Sequence, residues 1–327
     1  VLDVTLRPLT DDDVPEVVAL VNRSQAHDGV DQVVMEAEYR EELADLDLDL
    51  DTRVAVLTGD GDGDAGRIVG VASTLYLPSE ELHERCYVFG SVDPDHRRQG
   101  VGRTLLAWSI DRGLAQLASS ERDLPRYLRA ESYDWLTADH RLFERFGFVP
   151  VRWFEELLRS LDDVPSRREV PGIRIESWPD EADGRDGEIL AVKNASFADH
   201  WGTTPTSADH WRTKVRGFGS RPDLSTIAVD TATGDVVGFA LAHRYDEDDA
   251  LSGRRDGWVD TLGTLRGWRG RGIASALLVE SFHRFAADGL THAALGVDAD
   301  SPTGAARLYR NVGFVRHRGS MTLEYRP

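Results

Sequence analysis

Cysteine is nearly absent: the 327 residues include one, Cys86. That excludes an intramolecular disulfide and any zinc site built from several cysteines. Long apolar runs are missing too, none approaching the roughly 20 residues that a membrane span requires. The opening VLDVTLRPLTDDD has no basic segment followed by an apolar one, so no signal peptide is read there. A cytoplasmic location with no membrane partner is the expectation. The 10 histidines show no HExxH spacing, and neither a GxSxG elbow nor a Walker lysine occurs. The stretch GDGDGDAG (Gly59 to Gly66) imitates a calcium loop, but Ala65 and Val71 stand where an EF-hand places glycine and glutamate. It is read as a solvated hairpin turn, and no metal is expected. Positive charge is scarce as well: 38 Lys and Arg against 57 Asp and Glu leave a net −19, which disfavours nucleic acid. Such acidity suits either solubility or the attraction of a cationic amine.

What is present is one plan written twice. VTLRPLTDDDVPEVVALVN from Val4 reads as a strand, a Thr10 N-cap with acidic residues behind it, and an amphipathic helix. IRIESWPDEADGRDGEILAVKNAS from Ile173 repeats that order. Gly272 follows Gly100 by 172 positions, and LYRNVGF (Leu308 to Phe314) follows LFERFGF (Leu142 to Phe148) by 166. Offsets this close indicate a duplicated domain. The boundary falls in the polar LDDVPSRREVPG, giving domains over 1–160 and 173–327 with a linker at 161–172. In each copy a hairpin follows the early helices, then strand, glycine junction, helix, strand, helix and strand. That order predicts an α/β (α+β) fold with a mixed sheet.

The glycine junctions carry the chemistry. WVDTLGTL alternates like a strand, placing Trp258, Asp260, Leu262 and Thr264 on one face. After Gly272 the apolar positions Ile273, Leu277, Leu278 and Phe282 follow a helical period. A strand, a turn and a helix N-terminus in succession leave backbone N–H groups without partners and add partial positive charge. Glycines let an anion approach the backbone, and Arg269 and Arg271 add cations, so the junction suits a pyrophosphate. It is not the dinucleotide fingerprint, because the third glycine is Ser275 here and Leu105 in the first copy.

RGRGIA (Arg269 to Ala274) and RRQGVG (Arg97 to Gly102) resemble the R/Q-x-x-G-x-G/A motif of the GNAT N-acetyltransferases. LYRNVGF and LFERFGF resemble that family's later L-Y-x-x-x-G-F helix. The resemblance spans nearly the whole chain and implies two tandem domains of that fold, with acetyl-CoA as the cofactor, the first being catalytically degenerate. It would place the pantetheine arm on Leu262, Gly263 and Thr264, and the pyrophosphate on Arg269, Gly270, Arg271, Gly272, Ile273, Ala274 and Ser275. The first copy's matching positions are Gly90, Ser91 and Val92, then Arg97, Arg98, Gln99, Gly100, Val101, Gly102 and Arg103. Ser301 stands where related sequences often carry asparagine.

Acetyl transfer needs an ammonium to lose a proton, a donor for the oxyanion and an acid for the thiolate. Family members commonly use a tyrosine as that acid, which the resemblance assigns to Tyr309; the first copy has Phe143, with no proton to give. Asp260 is the candidate base or a structural carboxylate, with Asp256 as alternate. A backbone N–H near Leu262 or Gly263 would serve the oxyanion. In FADHWGTTP, Phe197 and Trp201 are candidate acceptor walls, with Asp199 or His200 as polar contacts. Equally, these aromatics are ordinary core and His200 a satisfied surface residue. The expectation is an acetyl-CoA-dependent N-acetyltransferase acting on a small-molecule primary amine in its C-terminal half. A non-catalytic acyl-CoA-binding protein is the alternative. A tandem pair with a degenerate first half also resembles the mycothiol synthases, which acetylate a cysteinyl sugar. Oligomeric state is not readable.

Overall fold

Short runs such as IVGVASTLYL and VVGFALAHR, dense in β-branched and apolar residues, become strands, and the longer periodic segments become helices. The computed structural model describes residues 2–44, 46–58, 66–78, 82–180, 184–201, 203–300 and 305–326. It forms two compact units, Val1–Trp153 with Ser320–Pro327, and Phe154–Gly319.

The first unit runs β1 (Val4–Arg7), α1 (Val14–His27), α2 (Glu36–Leu43), α3 (Leu48–Asp51), β2 (Thr52–Leu57), β3 (Ile68–Leu77), β4 (Glu84–Val92), α4 (Val101–Ala118), β5 (Arg126–Tyr133), α5 (Thr137–Arg145) and the start of β6 (Val149–Ser160). The second runs β7 (Ile173–Ser177), α6 (Asp186–Phe197), α7 (Ala208–Arg216), β8 (Thr226–Asp230), β9 (Val236–Arg244), α8 (Asp249–Ser252), β10 (Asp256–Thr264), α9 (Ile273–Ala287), β11 (His292–Asp298), α10 (Ala305–Asn311) and most of β12 (Val315–Tyr325). The expected mixed α/β fold is present in both. Within each unit the hairpins are antiparallel, while β4 with β5 and β10 with β11 are parallel.

The unit limits depart from 1–160 and 173–327 at two strands. Residues 154–160 of β6 pair with β11, and residues 320–325 of β12 pair with β5. Each supplies hydrogen-bond partners to the open side of a strand that would otherwise be a bare edge. Residues 161–172 also lie against the second unit: Leu161 is in its core, the Pro165 carbonyl lies 2.9 Å from His283 Nε2, and Arg167 pairs with Glu280 at 2.6 Å. Thr10 opens a short 3-10 turn over Asp11–Asp13, and α1 itself starts at Val14, where Pro15 fits a first turn needing no N–H. Of GDGDGDAG, residues 59–65 lie outside the described residues.

Three side-chain clasps recur at matching places in the two units. Glu16 Oε1 accepts from Ile68 N at 2.9 Å, and Glu188 Oε1 from Val236 N at 2.7 Å. Each plugs a hairpin where a register shift leaves a strand N–H unpaired, at Ala55/Val56 and Ala228/Val229. Asn22 exchanges two hydrogen bonds with the backbone of Val34, and Asn194 does the same with Thr206. The third clasp belongs to the glycine junctions.

Candidate functional site

At the second unit's junction, Gly270 and Gly272 have φ of 77° and 88°, the left-handed region where a Cβ is strained. A Cβ added at either would meet nothing within 4 Å, so the space before them is open. Gly272 caps α9 without a side-chain hydrogen bond, and the first helical bond runs from Ala276 N to Gly272 O at 3.0 Å. Ile273, Ala274 and Ser275 therefore form a first turn whose N–H groups have no intrahelical acceptor. The first unit keeps the backbone form: Gly100 has φ 102°, and Arg98, the counterpart of Gly270, has φ 63° despite its side chain. Gly102 and Arg103 follow in α4, with Val101 buried. Gln99 bonds back to Asp95 O at 3.1 Å.

The arginine heading each loop is committed elsewhere. Arg269 makes bonds of 2.7 and 3.2 Å to the two carboxylate oxygens of Asp199, one of 2.7 Å to Ser196 O and one of 3.3 Å to Thr264 O. Arg97 repeats this with Asp28 at 2.6 and 2.8 Å, Ser24 Oγ at 2.7 Å and Val92 O at 3.2 Å. Each arginine pins the loop to the end of the unit's first long helix. Hydrogen bonding from Arg269 holds the Asp199 carboxyl down at about 2. Asp199, expected near an acceptor, is thus a clamp residue. Arg271 is exposed, donating to Gly267 O at 3.2 Å with its guanidinium 4.5 Å from the Trp268 ring centroid.

The strand feeding this loop diverges from its parallel neighbour. β10 pairs with β11 only through Asp256, Gly257 and Trp258, and β4 pairs with β5 only from Glu84 to Tyr87. A wedge beside Leu262, Gly263 and Thr264 results, and another beside Gly90, Ser91 and Val92. The two strands differ on their other side. The β3–β4 register runs from Gly70↔Val92 to Leu77↔Arg85 without a shift, whereas β10 carries a bulge against β9 between Val259 and Thr261. Asp260 is the extra residue, and Val88 stands at its place in the first unit. The bulge corrects the expected alternation. Thr261 and Gly263 share a face with Trp258, while Leu262 and Thr264 fall on the opposite face with Val259, because one inserted residue resets the pleat. Gly263 accordingly faces α6: a Cβ there would lie 2.7 Å from Ser196 Oγ and 2.6 Å from Phe239 Cε1.

At the bulge Asp260 meets Lys214 Nζ at 2.8 Å and Thr261 Oγ1 at 2.6 Å, with His243 Nδ1 at 4.0 Å. Burial pushes its carboxyl up, but Lys214, His243 and the hydrogen bonds outweigh that and the net shift is downward. Asp260 is therefore a firmly ionised carboxylate. Asp256, the alternate, pairs with Arg254 at 3.1 Å.

Tyr309 on α10 is 9% exposed, in edge contact with Phe314 at 5.9 Å, and burial pushes its hydroxyl up to about 12. It stays protonated at neutral pH, so it can donate. Phe143 and Phe148 make the same edge contact at 5.3 Å, so the first unit keeps the ring pair without the hydroxyl. Phe197 and His200 lie together at the end of α6, ring centroids 4.5 Å apart, and burial lowers the His200 pKa. Trp201 is half-buried. Ser301 lies outside the described residues.

Residues 188–314 match the acetyltransferase (GNAT) family model, and residues 51–150 match a second acetyltransferase (GNAT) domain model. The mycothiol acetyltransferase of Frankia alni is 30% identical over 251 residues, 72% of this chain and 69% of that protein. The chain belongs to the GNAT acetyltransferase family. The mycothiol acetyltransferase of Mycobacteroides abscessus is 26% identical, over 76% of this chain and 78% of its own. A GCN5-related N-acetyltransferase from Sphaerobacter thermophilus superposes with TM-score 0.75 at 25% identity, covering 100% and 98% of the two chains. A tandem GNAT protein from the clavulanic acid biosynthesis pathway shares the fold, with TM-score 0.71 at 18% identity over 99% and 98%. The protein is a tandem GNAT N-acetyltransferase, and no helix among its described residues is long and apolar enough to cross a membrane.

GNAT acetyltransferases generally use acetyl-CoA, and the second unit's residues fit it. The open, uncapped turn from Gly270 to Ser275 can take a pyrophosphate, and the wedge beside Leu262 to Thr264 can take an extended arm. Lys214, His243, Ser196 and the Asp28 and Ser24 clamp escaped the sequence reading. Aligning the helices at the glycine offset would have found the clamp, since Ser24 and Ser196 are also 172 apart. Lys214 and His243 carry no local signal.

Proposed function

We propose that this enzyme moves an acetyl group from acetyl-CoA to the primary amine of a small molecule, and that the chemistry belongs to the Phe154–Gly319 unit. The observation that carries this reading is that this unit has both the Asp260 bulge and Tyr309, where the other unit has Val88 in an unshifted strand and Phe143. Both units keep a glycine turn, so the turn alone does not distinguish them. When bound, acetyl-CoA supplies the activated thioester. The backbone turn at Gly272 to Ser275 and Arg271 hold its phosphates. Asp260, kept ionised by Lys214, attracts the acceptor's ammonium. Tyr309 gives its hydroxyl proton to the departing thiolate, and a backbone N–H near Leu262 or Gly263 receives the oxyanion. Phe197, His200 and Trp201 border the acceptor.

For the acceptor, the mycothiol acetyltransferase relatives favour the amine of a cysteinyl sugar. The test is release of free CoA from acetyl-CoA with cysteinyl glucosamine and with a panel of simple amines. Tyr309→Phe should lower kcat by about 10²-fold or more with little change in KM. Unchanged kcat would remove Tyr309 from the chemistry. Binding of acetyl-CoA without turnover of any amine would favour an acyl-CoA-binding role.

A further inference from the structure

His243 lies on β9 and is 5% exposed. Its Nε2 is 3.1 Å from the carbonyl oxygen of Lys214. A carbonyl only accepts, so Nε2 carries the proton and the neutral ring presents a bare lone pair at Nδ1. That atom is buried and has no hydrogen-bond partner among the described residues. It faces Asp260 Oδ1 across 4.0 Å. The donors on Asp260, Lys214 Nζ and Thr261 Oγ1, both go to the other oxygen, Oδ2. Two acceptors therefore face each other, and His243 Nδ1 has no donor among the described residues. A buried acceptor left unmet costs about 1–3 kcal/mol, so the arrangement is suited to a donor brought from outside.

Resting on the proposed location of the chemistry in this unit, we infer that His243 Nδ1 takes the proton that the acceptor's ammonium must lose. One N–H bond of the ammonium breaks and its electron pair stays on nitrogen, ready to attack. The proton bonds to the Nδ1 lone pair, and the positive charge passes from amine to imidazolium. Asp260 Oδ1 steadies that charge, and the ring later returns the proton to water. Asp260 is the counter-charge and His243 the base. A carboxylate held below its ordinary range accepts protons poorly at neutral pH, whereas a neutral imidazole is close to the working range. The charged groups facing the ring are Asp260 on β10 and Lys214 on α7, with Tyr245 stacked on it at 6.2 Å. Burial lowers the His243 pKa most, Asp260 raises it and Lys214 lowers it, and the net direction is down.

The test uses ¹⁵N-histidine-labelled protein, with His243→Gln for assignment, and the pH profile of kcat/KM with cysteinyl glucosamine. The wild-type ring should show the Nε2–H form, a midpoint below 6.5 and a shift of Nδ1 when millimolar cysteinyl glucosamine is added without acetyl-CoA. The acid limb of kcat/KM should share that midpoint. His243→Gln should lose the limb and about 10²-fold in kcat. Asp260→Asn should lower the ring midpoint and move the limb with it, which keeps the test valid if His243→Gln does not fold. No Nδ1 response to the amine, or a limb that stays put when the ring midpoint moves, overturns the inference. If His243→Gln keeps its limb and kcat while Tyr309→Phe loses activity, only this inference fails. If neither loses activity, the location of the chemistry fails.

Discussion

Replacing Asp199 with asparagine removes the charge gripped by Arg269 and leaves the side chain's size nearly unchanged. Arg269 holds the carboxyl at about 2 against an ordinary 3.8, with burial opposing. At about 1.4 kcal/mol per pH unit this corresponds to about 2–3 kcal/mol. The side chain is 28% exposed, so solvent screening brings the expected loss to about 1–2 kcal/mol. Because the folded-state pKa is depressed, the contribution is complete above the ordinary 3.8 and is lost as pH falls towards about 2. Asp199→Asn should therefore be less stable than wild type at pH 7, and the gap should close near the acid end of that window. Urea unfolding followed by tryptophan fluorescence measures it: at an m-value of about 2 kcal/mol/M, the midpoint falls by about 0.5–1 M. The loop it anchors should also bind CoA more weakly in equilibrium dialysis. An unchanged midpoint at neutral pH, or a deficit undiminished at about pH 2, would refute the clamp.

Two further outcomes follow from packing. Gly263→Ala places a Cβ 2.6 Å from Phe239 Cε1 and 2.7 Å from Ser196 Oγ, so a loss of about 1–3 kcal/mol is expected by thermal unfolding; a variant as stable as wild type would contradict the close approach of β10 to α6. Cys86 is fully buried, and burial pushes its thiol up to about 12. It should resist a thiol reagent in native protein and react on unfolding, reporting on the first unit; prompt native reaction would contradict that burial.

Much of the fold was legible because its signals are local. Hairpin alternation, the helical period through Ile273, Leu277, Leu278 and Phe282, and glycines at left-handed positions each act within a few residues. The bulge was not legible: WVDTLGTL alternates without a visible break, and only pairing with β9 shows that Asp260 has no opposite residue. The exchanged strands were hidden for the same reason, since a strand's partner is set by which edge lies open.

The sequence by itself determined that the domain is duplicated, where glycines precede a helix start, and which half kept the tyrosine of the L-Y-x-x-x-G-F segment. These are properties of residue type and spacing. Tertiary structure decided that Arg97 and Arg269 are spent on carboxylates of the preceding helix. It also decided that Lys214, His243 and Asp260, far apart in the chain, meet in one cluster of charge. A side chain's charge is written in the sequence, but its partner and its proton depend on what the fold brings within a few ångströms and shields from water.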